Sequence, residues 1–280
     1  MTGLPTIVSF WHGPMSWLER LSVASFRRAG HRVEIYSYDP IVDMPAGATW
    51  RDAAEILPRN RLTFYKGRGT PGVFSDYFRM SLLRAARGVW ADLDVYCLRP
   101  IRQPLDYLMG YERPGSVNGA VLYMPANAPL LVDLLSIFET SNRPLFERHL
   151  PLFRRVEVAA RRLAGQTVAP EYMQYGATGP MALTYHAGRH GLLDKVSPGP
   201  VFYPVPYQHI PSLMRAGSSL DAWLTPQTLA IHLWRSQLTD RGRADIAQPE
   251  PGSALHTLCM QACVALETIE ASRTAQLSSV

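Results

Sequence analysis

Residues 89–96 read VWADLDVY, an apolar run interrupted by two carboxylates, Asp92 and Asp94. Its apolar content and its length predict a buried β-strand. Successive side chains of a strand point to opposite faces, so both aspartates are predicted to point the same way, with Cα atoms about 6.5 Å apart. Two like charges this close in a buried place repel each other and raise at least one carboxyl pKa. An arginine, solvent at a strand end or a bound divalent cation would relieve that repulsion.

Segments of alternating strand and helix character surround this stretch. Apolar periodicity predicts strands at residues 6–11, 32–38, 120–124, 201–205 and 230–234, and helices at 16–29, near 50–56, 74–87, 128–138 and 253–274. Ser75 is the predicted N-cap of the helix at 74–87. Strand–helix–strand units of this kind build an α/β fold, a sheet flanked by helices. The prediction is one domain at residues 1–245, followed at 246–280 by a linker and a C-terminal helix that packs on it.

The composition is that of an ordinary folded protein, because 47% of the residues are hydrophobic and 18% are charged. The three cysteines form no CxxC pair, so we expect reduced, mostly buried thiols in a cytoplasmic protein. A metal pair of Cys259 and Cys263 is the less favoured alternative. No signal-peptide pattern or membrane-spanning run is evident. The dispersed arginines lack a recognition motif, so no nucleic-acid partner is expected.

A basic amphipathic segment, Leu145–Leu163, interleaves apolar side chains with five arginines. Such a segment forms either a solvated helix face or a surface that lies on anionic lipid. We favour the solvated face and keep peripheral contact with the inner face of the membrane as the alternative.

A divalent cation is an attractive partner for Asp92 and Asp94, because carboxylate oxygens are hard ligands suited to Mg²⁺ or Mn²⁺. Two carboxylates do not fill an octahedral shell, and water and nucleotide phosphate oxygens would complete it. Ligands of open α/β sheets bind beyond the carboxyl ends of the strands, where these aspartates fall. The alternative is an exposed strand end that carries two solvated aspartates.

The helix before the strand carries Asp76 and Arg79 three residues apart, and therefore on one face. Gly88 alone separates this helix from the strand, so that face is expected to lie near the aspartates. Arg79 would then neutralise a carboxylate or contact phosphate, and Asp76 would accept hydrogen bonds from ribose hydroxyls. A simple local ion pair between the two is the alternative.

An ordered motif within these segments resembles the S-D-x-x-R…L…G-x-Y/W-x-D-x-D…P block of the DXD-sugar-binding glycosyltransferases. This group includes family 32 enzymes, α-1,4-galactosyltransferases and the catalytic domains of clostridial glucosylating toxins. The matching elements are SDYFR at 75–79, Leu83, Gly88, Trp90, DLD at 92–94 and Pro100, with Arg87 in place of the usual first glycine. Weaker matches follow in family order: FWHG at 10–13, TGP at 178–180, FYP at 202–204 and IHLW at 231–234.

The resemblance implies a GT-A-type, Rossmann-like fold with a mixed, mostly parallel sheet. It also implies a metal-dependent, retaining hexosyltransferase that uses a nucleotide-sugar donor, most simply UDP-linked, and Mn²⁺ or Mg²⁺. The hexose would be galactose, glucose, N-acetylglucosamine or mannose. The acceptor would be a glycan, a lipid-linked glycan or a protein, and bacterial surface-glycan synthesis is the expected setting.

Individual roles follow from the same resemblance. Asp94 resembles the direct metal ligand, and Asp92 the residue that binds ribose and the metal through water. His232 resembles the residue that approaches the metal or diphosphate. The other implied donor contacts come from Asp76, Arg79, Trp234, Asn118 beside the sugar and Trp11 at the base. Two of these keep an alternative, because Asn118 is equally typical of a turn and Trp11 of the core.

Two other functions remain open on the sequence. One is a two-metal phosphoryl or nucleotidyl transferase, which would need a third acidic ligand and a phosphate-binding loop. The other is an inactive nucleotide-sugar-binding protein, against which the complete set of Asp76, Arg79, Asp92, Asp94 and His232 argues.

Overall fold

The computed structural model of the chain describes residues 3–66, 69–102, 106–139, 146–166, 168–239 and 246–266. Its strands are β1 (Ile7–Phe10), β2 (Val33–Ser37), β3 (Ala48–Asp52), β4 (Val89–Ala91), β5 (Val95–Cys97), β6 (Leu108–Arg113), β7 (Ser116–Tyr123) and β8 (Ala230–His232). Its helices are α1 (Trp17–Arg28), α2 (Gly72–Arg84), α3 (Pro129–Glu139), α4 (Leu152–Leu163), α5 (Ala182–Arg189), α6 (Gly199–Phe202), α7 (Arg235–Leu238) and α8 (Ala254–Gln261). Among the described helices, none combines the length and the hydropathy that crossing a membrane requires.

Six strands form one sheet in the order β3-β2-β1-β4-β7-β6. The strands β3, β2, β1 and β4 are parallel, whereas β7 runs antiparallel to β4 and β6 antiparallel to β7. The predicted α/β fold with a mixed, mostly parallel sheet flanked by helices is therefore confirmed. From β1 the chain proceeds outward to β2 and β3, and then returns to place β4 on the other side of β1. This reversal of strand order creates a crevice at the carboxyl ends of β1 and β4.

Both faces of the sheet are covered because alternate residues of its strands point to opposite sides. Val8 and Phe10 of β1 pack against apolar residues of α2, such as Phe74 and Phe78. Ile7 of β1 packs on the other face, in the cluster that includes Phe26 of α1. Two buried layers thus hold β1 and β4, and the crevice between them, in a fixed position.

The stretch at 89–96 is not one strand, so the prediction that both aspartates lie on one face of a strand is wrong. β4 ends at Ala91 and β5 begins at Val95, and a turn connects them. The Val95 amide donates to the Asp92 carbonyl (3.1 Å), and the Asp92 amide donates to the Ala120 carbonyl (2.8 Å). The break occurs because β4 pairs with β7 in the large sheet, whereas β5 pairs with β8 in a separate two-stranded sheet.

Two predicted helices in the first half of the chain also differ from prediction. Helix α2 begins at Gly72 with Pro71 at the N-cap, so Ser75 lies inside the helix and does not cap it. Proline fits a helix start because it has no amide proton to leave unpaired. In the segment 50–56, Trp50 lies in edge strand β3, and only Ala53–Glu55 forms a helical turn, which Asp52 caps.

The second half also departs from prediction in two places. The segment 201–205 is not a strand, since its first residues belong to the short helix α6. The C-terminal helix starts as predicted, with Ser253 as N-cap, but it ends at Gln261. Cys263 follows the helix with a φ of +54°, so it does not share a helix face with the buried Cys259. Residues 267–274 of the predicted helix lie outside the described part of the chain.

The C-terminal helix α8 packs on the rest of the fold. Leu255, Leu258 and Cys259 are buried against Leu18 and Leu21 of α1 in a common apolar cluster. Burial raises the pKa of the Cys259 thiol to about 12.

Candidate functional site

The sequence-predicted site residues meet at the crevice between the ends of β1 and β4. Trp11 follows β1 directly, and Asp92 follows β4. Beside Trp11, a cavity of about 300 Å³ extends along the ends of β1 and β2, and its walls include Pro14, Tyr38 and Val42. The Trp11 indole is partly buried, donates to the Pro14 carbonyl (3.2 Å) and faces the Arg235 guanidinium, 5.6 Å from its ring centre. Trp11 therefore lines an open cavity and is not buried in the core.

Asp94 and His232 are brought together by the pairing of β5 with β8. Val95 of β5 lies opposite His232 of β8, although 138 residues separate Asp94 from His232 along the chain. The His232 Nε2 atom lies 3.1 Å from Asp94 Oδ1, and the Arg235 amide donates to Asp94 Oδ2 (2.8 Å). A further bond, from the Leu233 amide to the Asp94 carbonyl (2.8 Å), holds the backbone in place. The Asp94 carboxylate is thus oriented by the chain that follows β8.

Asp92 is oriented differently, by side chains from α2 and β4. Its Oδ1 atom accepts a hydrogen bond from Arg79 Nη2 (2.8 Å) and another from Trp90 Nε1 (2.7 Å). The Asp92 side chain is 26% exposed and that of Asp94 is 15% exposed, so both are open to the crevice to a limited degree. The two aspartates therefore have different partners within the protein.

Asp76 and Arg79 form the buried floor of the site. Arg79 Nη1 lies 3.5 Å from Asp76 Oδ1, and the guanidinium lies over the Trp90 ring at 4.9 Å. The Thr178 hydroxyl donates to Asp76 Oδ2 (2.7 Å) and lies 3.0 Å from the Tyr65 hydroxyl. Asp76 is only 8% exposed, so its hydrogen bonds are mainly with the protein itself.

Two glycines let the backbone approach this floor closely. A Cβ atom at Gly179 would lie 2.9 Å from Asp76 Oδ1, and one at Gly119 would lie 2.7 Å from Arg79 Nη1. A larger residue at either position would displace the charged pair, which explains the glycine of the TGP element at 178–180 in physical terms.

The carboxyl groups of the site have pKa values shifted in opposite directions. Burial raises the pKa of Asp92, Arg79 lowers it, and the negative charge of Asp94 raises it further, so that the net change is upward. Burial also raises the pKa of Asp94, but the positive charge and hydrogen bond of His232 and the Arg235 amide bring it below its usual value. Burial raises the pKa of Asp76 more than Arg79 and Thr178 lower it. Asp94 is therefore the carboxyl group of the site that most favours ionisation.

His232 lies beside the carboxylate of Asp94 and near that of Asp92. Burial lowers its pKa, but the charge and hydrogen bond of Asp94 and the charge of Asp92 together raise it above the ordinary value. A metal ion bound to Nε2 would require the neutral imidazole, so metal binding here would be coupled to the protonation of His232.

The donor set of Asp92, Asp94 and His232 fits a divalent cation. One ligand atom from each of the three lies within 4.8 Å of the others. Two ligand atoms at about 2.1 Å from an ion and at right angles are separated by about 3 Å. The 3.1 Å between His232 Nε2 and Asp94 Oδ1 matches that separation, and one imidazole with two carboxylates suits Mn²⁺ and tolerates Mg²⁺.

Asn118 is held by the protein in strand β7 and does not lie in a turn. Its Oδ1 atom accepts from the Ala120 amide (2.8 Å) and the Tyr203 hydroxyl (3.3 Å), and its Nδ2 atom donates to Glu112 (2.7 Å). With 6% exposure, the Asn118 side chain contributes to the wall of the site through these contacts. A direct contact with a sugar stays a prediction.

Trp234 follows β8 and adopts a left-handed backbone conformation, with φ +49°. Its ring centre lies 4.0 Å from that of His232. Within the described part of the chain, the buried Trp234 Nε1 and His232 Nδ1 atoms have no hydrogen-bond partner. A buried N–H without an acceptor is costly. The Trp234 indole is therefore well suited to bind an acceptor oxygen of a ligand.

Four residues that hold the site together had no role predicted from the sequence. Trp90 and Thr178 donate to the aspartates, Tyr203 contacts Asn118, and Glu112 accepts from Asn118. The TGP and FYP elements signalled Thr178 and Tyr203, but nothing in the local sequence pointed to Glu112. Its position depends on the pairing of β6 with β7, which brings Glu112 beside Asn118.

Models of known protein families and the curated proteins contain no match to this chain.

Proposed function

We propose that this protein is a metal-dependent, retaining glycosyltransferase. It would move a hexose from a nucleotide-diphosphate sugar, most simply a UDP-sugar, to an acceptor hydroxyl. The observation that carries the proposal is the convergence of Asp92, Asp94 and His232, from distant parts of the chain, at the strand-order reversal of an α/β sheet. The buried pair of Asp76 and Arg79 directly beneath Asp92 supports it.

A nucleotide sugar is supported by the cavity beside Trp11, which Arg235 links to Asp94; the base would occupy the cavity and the diphosphate would lie near Asp94. Trp11 lines the cavity at the ends of β1 and β2 and offers an aromatic face to a nucleobase. The trio of Asp92, Asp94 and His232 would hold Mn²⁺ or Mg²⁺ at the end of β4. A metal bound there supplies charge neutralisation to the departing nucleoside diphosphate.

The residues of the chain would act by positioning and by electrostatics. Arg79, held between Asp76 and Asp92, would offset the negative charge of these carboxylates beside the sugar. Trp234 Nε1, which has no acceptor among the described residues, would donate a hydrogen bond to a diphosphate oxygen. The acceptor hydroxyl would attack the anomeric carbon from the face that the diphosphate leaves, the bond from that carbon to the diphosphate oxygen would break, and the hydroxyl proton would pass to the departing diphosphate.

The two-metal phosphoryl transferase receives less support. Among the described residues, one group of three potential metal ligands is present, and Asp76 is committed to Arg79 and Thr178. The acceptor is proposed to be a glycan, a lipid-linked glycan or a protein, and the setting the cytoplasm, in bacterial surface-glycan synthesis. The free thiols of Cys97, Cys259 and Cys263 are consistent with a reducing compartment.

The test is a donor panel of UDP-glucose, UDP-galactose, UDP-N-acetylglucosamine and GDP-mannose with Mn²⁺. Two readouts are taken together: the release of nucleoside diphosphate and the shift in melting temperature. One donor is expected to raise the melting temperature and to be turned over, and a chelator is expected to abolish both effects. Removing a residue that merely orients a metal ligand typically lowers activity by roughly 10–100-fold. Asp94→Asn changes a proposed metal ligand itself, so its turnover is expected to fall by more than that.

Asp221→Asn is the matched control, because Asp221 is exposed and lies outside the site. It should retain wild-type turnover. Full turnover in Asp94→Asn, or undiminished turnover in chelator, would contradict the metal role. Binding of a donor without release of nucleoside diphosphate across the panel would favour the inactive binding protein. If free nucleotides alone raised the melting temperature and the protein transferred phosphoryl groups, the two-metal phosphoryl or nucleotidyl transferase would be favoured.

A further inference from the structure

Helix α4 turns its apolar side chains toward solvent. Leu152, Phe153, Val156 and Leu163 are 72%, 65%, 61% and 91% exposed. At 100° per residue, Leu152, Val156 and Leu163 fall on one side of the helix, with Phe153 beside them. Large apolar side chains grouped this way on a surface mark an interaction site.

The opposite side of α4 is polar and faces the protein. Glu157 lies there between Arg154 (2.5 Å) and Arg161 (2.9 Å), and the buried Val158 is its apolar contact with the body. A surface helix normally buries its apolar stripe and exposes its charges. The arrangement of α4 is the reverse, so packing among the residues that the structure describes does not account for its apolar side.

The exposed side also carries positive charge. Arg155 and Arg162 flank the apolar side chains, and Arg148 lies shortly before the helix, all three of them exposed. Glu157 is the acidic residue of α4, and its carboxylate is engaged on the opposite side. The outward surface therefore combines apolar side chains with arginines and has no carboxylate of its own helix.

We propose that α4 docks on an anionic lipid surface. Its apolar side chains would enter the boundary between headgroups and acyl chains, and Arg148, Arg155 and Arg162 would contact lipid phosphates. A second copy of the chain is the less suitable occupant, because a symmetric contact through α4 would bring its arginines together, while the carboxylate of Glu157 is engaged on the opposite side. This reverses the sequence-based preference for a solvated helix face, since the face that meets solvent is the apolar one.

The docked helix would lie close to the candidate site. Arg154 and Val158 of α4 line a small cleft together with Tyr172 and Met173. From there the chain leads directly to Thr178, which donates to Asp76. Docking of α4 would thus keep this wall of the crevice near the membrane surface. The docking itself does not depend on the proposed transferase activity.

Sedimentation of the full chain with vesicles tests the proposal without any sugar donor. Vesicles of phosphatidylcholine alone are compared with vesicles that contain phosphatidylglycerol, at low and at high salt. Binding is expected only to the anionic vesicles and is expected to weaken with salt. Phe153→Asp should lower the partition coefficient by at least about tenfold, and Arg155→Glu by at least about fivefold.

Each variant has a matched control elsewhere on the surface. Met260→Asp changes a side chain that is also exposed, at 63%, and Arg32→Glu reverses a charge at the amino end of β2. Both controls should sediment as the wild type does, and melting curves verify that all four variants are folded. Failure of the wild type to bind anionic vesicles, or equal binding by Phe153→Asp, would overturn the proposal. A concentration-dependent dimer that Phe153→Asp abolishes, without vesicle binding, would assign the face to a second copy instead.

Discussion

Arg79→Met removes the one cation between Asp76 and Asp92 in the floor of the site. Arg79 is 7% exposed and contacts both carboxylates, at 3.5 and 2.8 Å. Methionine preserves the aliphatic part of the side chain and its packing against Trp90, so the change chiefly removes charge. The protein would then have to fold with two carboxylates that lack their counterion.

The expected loss is about 3 kcal/mol in the free energy of unfolding. Removing one member of a buried ion pair costs roughly 3–5 kcal/mol. The low end of this free-energy range applies because the Asp92 side chain is 26% exposed and keeps its hydrogen bond from Trp90. For a chain of this size, each kcal/mol lowers the melting temperature by about 2 °C, which predicts a decrease of about 6 °C.

Urea unfolding of the wild type and the variant measures this loss. The midpoint should fall while the dependence on urea concentration stays constant. Arg84→Met is the matched control, because Arg84 lies on the same helix and pairs with Glu139 (2.7 Å), with 47% of its side chain exposed. A surface pair of this kind contributes under about 1 kcal/mol.

A second substitution separates charge from packing. Asp76→Asn removes one of the stranded carboxylates, so Arg79→Met combined with Asp76→Asn should be more stable than Arg79→Met alone. If Arg79→Met is no more destabilising than Arg84→Met, or if Asp76→Asn brings no recovery, the reasoning about the buried charges is refuted.

Two further predictions concern His31 and Trp234. His31 accepts from the Ile101 amide through Nε2 (3.0 Å), so its Nδ1 donates to the Pro5 carbonyl (2.9 Å), and burial lowers its pKa below the usual 6.5. The unfolded chain, in which His31 has its usual pKa, binds a proton at a higher pH than the folded chain does. The free energy of unfolding should therefore fall as the pH drops below 6.5. The melting temperature of His31→Gln should depend less on pH in this range. Trp234→Phe removes a buried N–H that has no partner among the described residues, so thermal stability should be maintained or increased while donor turnover falls by about tenfold or more. A loss of stability with unchanged turnover would contradict the assigned role of Trp234.

The local sequence was sufficient to predict much of the sheet and the members of the site. The strands of β1, β2 and β8 and the helix α1 were predicted within a few residues, because apolar periodicity and capping residues act over short distances. The spacing of Asp76, Arg79 and Asp92 was also sufficient to predict that their side chains lie close together, since one helix and one tight connection link them. These features depend on neighbours along the chain.

Three features depended on residues far apart in the chain. The turn at 92–94 exists because β4 and β5 pair with strands of different sheets, and periodicity does not reveal which strand will be the partner. The same pairing places His232 beside Asp94, where the motif had implied a common site without supplying the geometry. The orientation of α4 is the third case. Its amphipathic pattern was visible in the sequence, but a pattern defines two sides of a helix and not which side the rest of the protein covers. The sequence alone therefore determined which residues lie on each side of α4. Which side packs on the protein and which side meets solvent was decided only by the tertiary structure, because burial is a property of the packed chain.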